Sequence, residues 1–231
     1  MSDKNARGPL KEQALALLTQ RHISIGTILD VGVLHGTPEL MKAFPTAKHL
    51  LFEPVSEFAE RIGQNYHGFD HELHQVAVGA EDGEVVLQVF GHLEGMSISH
   101  SRMDLSGDTK TASRVVNKVC LDTFLEGKNY PEPYFLKIDI DGHEIEVLKG
   151  AKKTLSKTAV VMIECAGSTL PSRISTVLSA GFKIYDLVEP CYYDGAFWQC
   201  DALFLREDLH QRFFKQLTGK VEAGLYQMFR G

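Results

Sequence analysis

The chain has 231 residues, of which 44% are hydrophobic and 23% charged, and its formal net charge is −6. This composition is typical of one globular domain over residues 1–231, and the acidic balance argues against nucleic-acid binding and against a polybasic membrane-binding surface. The four cysteines form no CxxC pair, the first residues show no signal peptide, and no window approaches the roughly 18 apolar residues of a membrane span. We therefore expect a cytoplasmic protein with reduced thiols.

The first third of the chain alternates strand-like and helix-like segments. Residues 1–26 contain apolar residues at helical spacing, which predicts a helix, and "TILDVG" predicts a short buried strand ended by glycine. "TPELMKAF" predicts a helix with Thr37 as N-cap and Pro38 in the first position. The next segments are a strand, "HLLFEP", a helix, "VSEFAERIGQNY", and a strand, "ELHQVAVG". This alternation predicts a mostly parallel, doubly wound α/β sheet.

The middle of the chain breaks this alternation. "EDGEVVLQVFG" predicts a turn at Asp82-Gly83 and then a strand. Residues 91–113 are polar, contain glycine and show little periodicity, which predicts a long loop that is functional or mobile. Strand character returns with "RVVNKVCL", and "DTFLEG" predicts a short helix.

Strands and helices alternate again from residue 133. The segments are a strand that ends at Asp141-Gly142, the helix "HEIEVLKGAKKTL", the strand "AVVMIECA" and the helix "PSRISTVLSAG". An Asp194-Gly195 turn between "FKIYDLVEP" and "FWQCDALFLRE" predicts an antiparallel hairpin. Residues 207–231 predict an amphipathic helical tail that packs on the domain or on another subunit, so homo-oligomerisation stays open.

Three charged residues occupy a segment that otherwise has the character of a fully buried strand. In "PYFLKIDIDGHEIEVLKGA", Lys137, Asp139 and Asp141 alternate with apolar residues. Burial of an unpaired carboxylate costs several kcal/mol, so these charges must be paired, lie at the end of the strand or meet a ligand there. Lys137 is best explained as the partner of a buried acid such as Asp30 or Glu164.

A glycine turn and an acid indicate a nucleoside ligand. Asp30, Gly32 and Gly36 lie where the first strand turns into its helix, and glycine there lets a ligand approach the backbone. Leu34 replaces the second glycine of the dinucleotide fingerprint GxGxxG, which disfavours a nicotinamide-dependent oxidoreductase. Glu53 lies about 20 residues further on, where an acid can hold a ribose diol. Adenosine without pyrophosphate indicates S-adenosylmethionine; a solvated strand-end carboxylate is the alternative for Glu53.

Several motifs, in order from Thr27 to Asp208, resemble one family. "TILDVGVLHG", "GMSISHS", "YFLKIDIDGHEIEVLKGA" and "VVMIECA" are similar to the FkbM-type methyltransferases, which are class I S-adenosylmethionine-dependent O-methyltransferases. The chain departs from the family pattern at Val33-Leu34, usually Ala-Asn, and at Asp141, usually Glu. The resemblance implies a seven-stranded, mostly parallel, Rossmann-like sheet in the order 3-2-1-4-5-7-6 with one antiparallel strand.

The resemblance also implies roles for individual residues. The implied contacts to S-adenosylmethionine are Asp30, Gly32, Gly36, Glu53, Pro54, Ala77, Val78 and Asp139. Asp139 is the first candidate for the catalytic base, and His143 is the second because neutral imidazole can take a proton near pH 7. Asp139 and Glu164 end neighbouring strands and are candidate oxygen ligands for Mg²⁺.

The sequence therefore predicts an enzyme that methylates a hydroxyl of a small molecule, natural product or glycan. A non-catalytic S-adenosylmethionine-binding module is the main alternative, and a nicotinamide-dependent oxidoreductase is a further one. The acceptor is expected to contact residues 91–113 and the hairpin at 191–200. Aromatic residues of that hairpin either form a wall for a sugar or polyketide or pack on the sheet.

Overall fold

The computed structural model describes residues 6–7, 10–90, 100–103, 112–219 and 221–229. Its strands are β1 (Ala6–Arg7), β2 (Thr27–Val31), β3 (Lys48–Phe52), β4 (His71–His74), β5 (Ala77–Gly79), β6 (Gly83–Phe90), β7 (His100–Met103), β8 (Ala112–Cys120), β9 (Tyr134–Ile138), β10 (Thr158–Ala166), β11 (Phe182–Tyr193), β12 (Ala196–Arg206) and β13 (Met228–Phe229). Its α-helices are α1 (Lys11–Gln20), α2 (Pro38–Ala43), α3 (Ala59–Asn65), α4 (Leu121–Phe124), α5 (Glu144–Lys149), α6 (Lys152–Ser156), α7 (Leu170–Ser179) and α8 (Glu207–Phe213).

A seven-stranded sheet forms the centre of the molecule. Its spatial order is β4-β3-β2-β9-β10-β12-β11, and β12 runs antiparallel to both of its neighbours while the other adjacent pairs are parallel. Counted along the chain, this order is 3-2-1-4-5-7-6, which confirms the predicted sheet. The order reverses between β2 and β9, and a crevice at such a reversal is where ligands bind in open α/β sheets.

Both faces of this sheet are covered by helices. On one face, α4, α5, α6 and α7 contribute to a core cluster with residues from β2, β9 and β10. On the other face, α1 and α2 pack against the same strands. Strands such as β9 are therefore buried on both sides, as expected for parallel strands. No helix among the described residues is long and apolar enough to cross a membrane.

The last two strands of the central sheet form the predicted hairpin. Asp194 and Gly195 connect β11 to β12 with φ values of 48° and 77°. Two consecutive positive φ values are typical of a tight type I′ turn, which matches the right-handed twist of the strands. After β12 the chain forms α8, which ends at Phe213, so the predicted helical tail over residues 207–231 is helical only in its first part among the described residues. The half-buried side chains of Phe213 and Phe214 pack near α1, whereas Leu217 is exposed.

A second sheet, ordered β5-β8-β6-β7, corrects two predictions. The segment predicted as the third strand divides at Gln75-Val76, so β4 joins the central sheet and β5 pairs with β8. Within the predicted loop at 91–113, residues 100–103 form β7 against β6, and β8 begins at Ala112. The backbone groups of an edge strand can form hydrogen bonds with a polar segment even when that segment lacks the side-chain periodicity of a strand. Residues 91–99 and 104–111 lie outside the described residues.

The single helix predicted after residue 142 is two helices. It breaks at Gly150, whose carbonyl oxygen accepts hydrogen bonds from the Asp122 N–H at 3.0 Å and the Cys120 thiol at 2.9 Å. A Cβ atom on Gly150 would lie 2.2 Å from the carbonyl oxygen of Gly79. The break therefore results from close packing of the helical segment against the second sheet.

We expect Gly150→Ala to lower the free energy of unfolding by about 1–3 kcal/mol, because the added methyl group has to displace backbone. Gly63 is the matched control, since it is an exposed glycine inside α3 with nothing within 4 Å of an added Cβ. Gly63→Ala should raise the free energy of unfolding by about 0.5–1 kcal/mol. Urea unfolding followed by circular dichroism measures both; equal effects of the two variants would contradict the packing explanation.

Candidate active site

A buried ion pair lies where β2 and β9 end side by side. The Lys137 ammonium group is 3.0 Å from Oδ1 of Asp30 and 3.5 Å from Oδ2 of Asp139. It also donates a 2.6 Å hydrogen bond to the carbonyl oxygen of Gly32. Lys137 and Asp30 are both buried, which confirms that the lysine pairs with a buried acid. Burial alone would lower the pKa of Lys137, but the charges of Asp30 and Asp139 outweigh it and raise that pKa.

The second carboxylate oxygen of Asp30 is held by hydroxyl groups. It accepts a 2.7 Å hydrogen bond from the Thr37 hydroxyl and a 3.4 Å hydrogen bond from the Tyr66 hydroxyl. The Thr37 N–H in turn donates to the Tyr66 oxygen at 3.2 Å. Thr37 occupies the N-cap position of α2 as predicted, but its side chain makes no capping hydrogen bond. The side chain instead orients the buried aspartate.

The glycine turn after β2 is shaped by close packing. Gly32 has a φ of 83°, and a Cβ atom there would lie 1.9 Å from the carbonyl oxygen of Asp139. Gly36 has a φ of 138° and lies close to the Tyr66 ring. Leu34, between them, also adopts a positive φ of 54°, which is uncommon outside glycine. Gly32 is thus required by the approach of the two strand ends, whether or not a ligand binds.

Glu53 is buried at the end of β3 and contacts the same turn. Its Oε2 accepts a 2.9 Å hydrogen bond from the Leu34 N–H, and its Oε1 accepts a 3.0 Å hydrogen bond from the Val55 N–H. Burial raises its pKa despite these hydrogen bonds. The alternative of a solvated strand-end carboxylate is therefore wrong. An ionised carboxylate has about four acceptor positions, so Glu53 can accept further hydrogen bonds from a ligand.

The other predicted cofactor and catalytic residues occupy different environments. Pro54 is half-buried directly after Glu53, whereas Ala77 and Val78 are buried in β5 of the second sheet. The Asp139 side chain is 42% exposed at the end of β9, so it is open to a ligand. His143 is partly exposed at the N-cap position of α5 and makes no capping hydrogen bond there.

Glu164 lies at the end of β10, beside β9. Its Oε1 accepts a 2.8 Å hydrogen bond from the Gln199 side chain, and its backbone partner in β12 is Asp201. Burial, followed by the negative charges of Asp139 and Asp201, raises the pKa of Glu164 to about 7. The structure thus brings Asp139 and Glu164 to the same edge of the sheet, close enough for their charges to interact.

A second buried ion pair, which was not predicted from the sequence, lies beside the ends of β9 and β10. Glu144 and Arg173 form a salt bridge, and both side chains are almost fully buried. Arg173 also donates a 2.6 Å hydrogen bond to the carbonyl oxygen of Glu164, and Glu144 accepts a 3.3 Å hydrogen bond from the Gly142 N–H. The pair therefore links the turn after β9 to the end of β10. Arg173 precedes the buried Val177 by one helical turn, which is the sequence signal that it faces inward.

The predicted metal ligands supply two carboxylates. Among the described residues there is no group of three or more His, Cys, Asp or Glu side chains placed to hold a metal ion. Asp139 already has the Lys137 ammonium group as a neighbour, and Glu164 accepts a hydrogen bond from Gln199. These two residues do not complete the six-oxygen environment that Mg²⁺ prefers. The magnesium hypothesis stays a prediction.

Comparison with known families identifies the class of protein. The family model of the methyltransferase FkbM domain matches residues 30–184. This range includes the glycine turn after β2 and the acids Asp139 and Glu164 at the ends of β9 and β10. The chain therefore belongs to the FkbM methyltransferase family, as its motifs indicated.

Individual relatives are more distant. The chain is 31% identical over 67 residues to the hexuronic acid methyltransferase AglP of Haloferax volcanii, and this match covers 29% of the chain and 28% of AglP. Magnesium protoporphyrin IX methyltransferase (ChlM) from Synechocystis is 10% identical with a TM-score of 0.48, covering 85% of this chain and 77% of ChlM. An O-methyltransferase from Bacillus cereus is 12% identical with a TM-score of 0.47, covering 85% of this chain and 80% of its own.

The raised pKa of Glu164 predicts a pH dependence of stability. The folded protein keeps the Glu164 proton up to about pH 7, whereas the unfolded chain loses it near the ordinary value of 4.5. Between these values the folded state binds more protons, so the free energy of unfolding falls as the pH rises, by up to about 1.4 kcal/mol per pH unit. Gln cannot ionise, so Glu164→Gln should gain stability relative to wild type across this window.

Denaturant unfolding of wild type and Glu164→Gln at pH 4.5, 5.5, 6.5 and 7.5 checks this prediction. The lowest pH is the internal control, because Glu164 is largely protonated there in the folded protein. A stability difference that stays constant over the whole range would contradict the assignment of the raised pKa to Glu164.

Proposed function

We propose that this protein is an S-adenosylmethionine-dependent methyltransferase that methylates a hydroxyl group of a small molecule or glycan. The observation that carries the proposal is the site at the β2–β9 reversal, where a glycine turn is held between buried Glu53 and the Lys137–Asp30 ion pair. Membership of the FkbM family supports it. The AglP relative, a hexuronic acid methyltransferase by name, supports a carbohydrate among the candidate acceptors.

The residues present fit the cofactor by their chemistry. Glu53 is a desolvated acid with unused acceptor positions, and the two hydroxyls of a ribose are the donors that it lacks. Gly32 and Gly36 leave the turn without side chains, and Asp139 presents a partly exposed carboxylate. When bound, S-adenosylmethionine supplies a methyl group on a positively charged sulfonium. We infer that these four residues, with Asp30 behind them, form its binding site.

Deprotonation of the acceptor hydroxyl is assigned to the carboxylates at this edge. Asp139 is the first candidate because its side chain is accessible at the end of β9, next to the proposed cofactor site. Glu164 is a further candidate, since its pKa of about 7 suits proton uptake near neutral pH. His143 follows Asp139 by four residues and stays an alternative base. Positioning of the hydroxyl against the methyl carbon supplies much of the remaining catalysis.

We expect calorimetric titration to show micromolar binding of S-adenosylmethionine and S-adenosylhomocysteine but not of NADH. Glu53→Ala should weaken both adenosyl ligands at least tenfold, because hydrogen bonds to a charged group contribute about 1.5–3 kcal/mol. Glu60→Gln, an exposed acid on α3, is the matched control and should bind like wild type. Circular dichroism has to show that Glu53→Ala is folded. Absence of binding by the wild-type protein would overturn the proposed cofactor.

Methyl transfer distinguishes an enzyme from a non-catalytic binding module. With radiolabelled S-adenosylmethionine and an acceptor found by screening hydroxyl compounds and glycans, Asp139→Ala should lower kcat by about 10²–10⁴-fold, the usual contribution of a catalytic base. Parallel reactions with Mg²⁺ and with EDTA test the metal hypothesis. If Asp139→Ala still binds the cofactor and turns over at the wild-type rate, Asp139 is not the base. If wild type binds the cofactor and methylates nothing, the binding-module alternative replaces the enzyme.

A further inference from the structure

The tip of the β11–β12 hairpin presents four aromatic side chains to solvent. Residues 191–198 are all exposed, and we call Tyr192, Tyr193, Phe197 and Trp198 the aromatic tip. Their exposed fractions are 64%, 77%, 41% and 53%, and the rings of Tyr192 and Phe197 meet edge to face with centroids 6.3 Å apart. Tyr192 and Tyr193 are mostly exposed, whereas the Phe197 ring lies close to Gly167 at the end of β10, so the packing alternative from the sequence applies to Phe197 and not to the two tyrosines. A patch of exposed aromatic side chains marks a binding surface.

The aromatic tip lies at the same edge of the central sheet as the candidate active site. β10 ends at Ala166, which pairs with Gln199, so residues 191–198 continue beyond the end of β10. Phe197 is two residues past this last pair and on the same face of the sheet as Gln199 and Glu164, whereas Trp198 is on the opposite face. At the rise of a β-strand, the backbones of Phe197 and Glu164 are about 13 Å apart along the strand direction. A ligand that contacts both has to span more than one sugar-sized ring.

The charged side chains near the ends of β9 and β10 affect which net charge an acceptor can carry. Three cations among the described residues near this edge are each paired with an acid. The pairs are Lys11 with Asp201, Lys137 with Asp30, and Arg173 with Glu144. Asp139 shares its lysine with Asp30, and the amide group that contacts Glu164 carries no charge. A carboxylate on the acceptor would meet these two acids, while Lys11, Lys137 and Arg173 are engaged by other acids, and such like-charge contacts oppose binding.

We propose that the acceptor is an uncharged glycan of at least two sugar units, bound between the aromatic tip and the strand-end carboxylates. This inference rests on the proposed function and specifies its substrate class. A sugar ring offers apolar C–H faces to aromatic rings and hydroxyl donors to carboxylates, which are the two chemistries that this edge provides. Asp139 and Glu164 accept the hydroxyl hydrogen bonds, and the aromatic tip contacts a neighbouring ring. The acceptor therefore differs in charge from the hexuronic acid in the name of AglP.

The test compares matched ligands on protein saturated with S-adenosylhomocysteine. The probes are methyl glycosides of neutral disaccharides, the same disaccharides with one hexose replaced by its hexuronic acid, and an apolar polyketide-like alcohol. Binding is measured by ligand-observed NMR titration at pH 7.5. We expect at least one neutral disaccharide to bind at least tenfold more tightly than its uronic acid counterpart and than the apolar alcohol. The ratio of the dissociation constant for the uronic acid to that for the neutral disaccharide should fall at least threefold in Glu164→Gln.

Variants of the aromatic tip locate the binding surface. Tyr192→Ala and Phe197→Ala, on the face of the sheet that carries Glu164, should each weaken binding of the neutral disaccharide at least fivefold. Two exposed residues away from the tip serve as controls: Ile184→Ala, in the opposite half of β11, and Tyr226→Ala, near the C-terminal end. Both should bind the disaccharide within twofold of wild type. All four positions are exposed, so the variants are expected to fold.

Three results would overturn the proposal. They are equal or tighter binding of the uronic acid or the apolar alcohol, no binding of any neutral disaccharide, and tip variants that change the molecular mass in solution instead of disaccharide affinity. The last result would show that the aromatic tip is a contact between copies of the chain. In each case the separate titration with S-adenosylmethionine shows whether the proposed cofactor function still stands.

Discussion

The ion pair between Lys137 and Asp30 is the interaction on which the candidate site depends. The lysine is buried and contacts groups from two adjacent strands and from the turn that follows the first of them: Asp30, Asp139 and the carbonyl oxygen of Gly32. In other proteins, removal of one partner from a buried pair costs about 3–5 kcal/mol, because the remaining charge is left without compensation. The ends of β2 and β9 therefore have to stay in register for this lysine to be satisfied.

Contacts around this ion pair fix the shape of the turn before any ligand arrives. Gly32 lies so close to the carbonyl oxygen of Asp139 that only glycine fits, and Glu53 holds the N–H of Leu34 from the third strand. Leu34 replaces the asparagine typical of the family, yet its contribution to Glu53 comes from the backbone, which any residue except proline can supply. A turn that is held by contacts from three strands is preorganised, so ligand binding loses little conformational entropy in this turn.

What could be predicted from the sequence follows from local pattern and from family motifs. The strand order was predictable only through the family resemblance. The Asp194-Gly195 hairpin and the pairing of Lys137 were predictable from short windows, because turn residues and a charge in an apolar strand are visible there. The separation of β5 from β4, the helix break at Gly150 and the Glu144–Arg173 pair were not, since each depends on a contact between distant segments. For example, the helix breaks at Gly150 because Gly79 packs against it. This contact between distant residues cannot be inferred from sequence spacing.

The carboxylates at the sheet edge affect both the proposed cofactor and the proposed acceptor through their negative charge. A sulfonium is positively charged, and the carboxylates of Asp139 and Glu164 at the sheet edge would favour its binding. A further negative charge is disfavoured at the same edge, where burial and then the negative charges of Asp139 and Asp201 raise the pKa of Glu164 to about 7. An uncharged acceptor adds nothing to this repulsion, and its hydroxyl proton has a carboxylate to receive it. In the proposed complex, the strand-end acids would therefore select the charge of the acceptor, and the aromatic tip would select its shape.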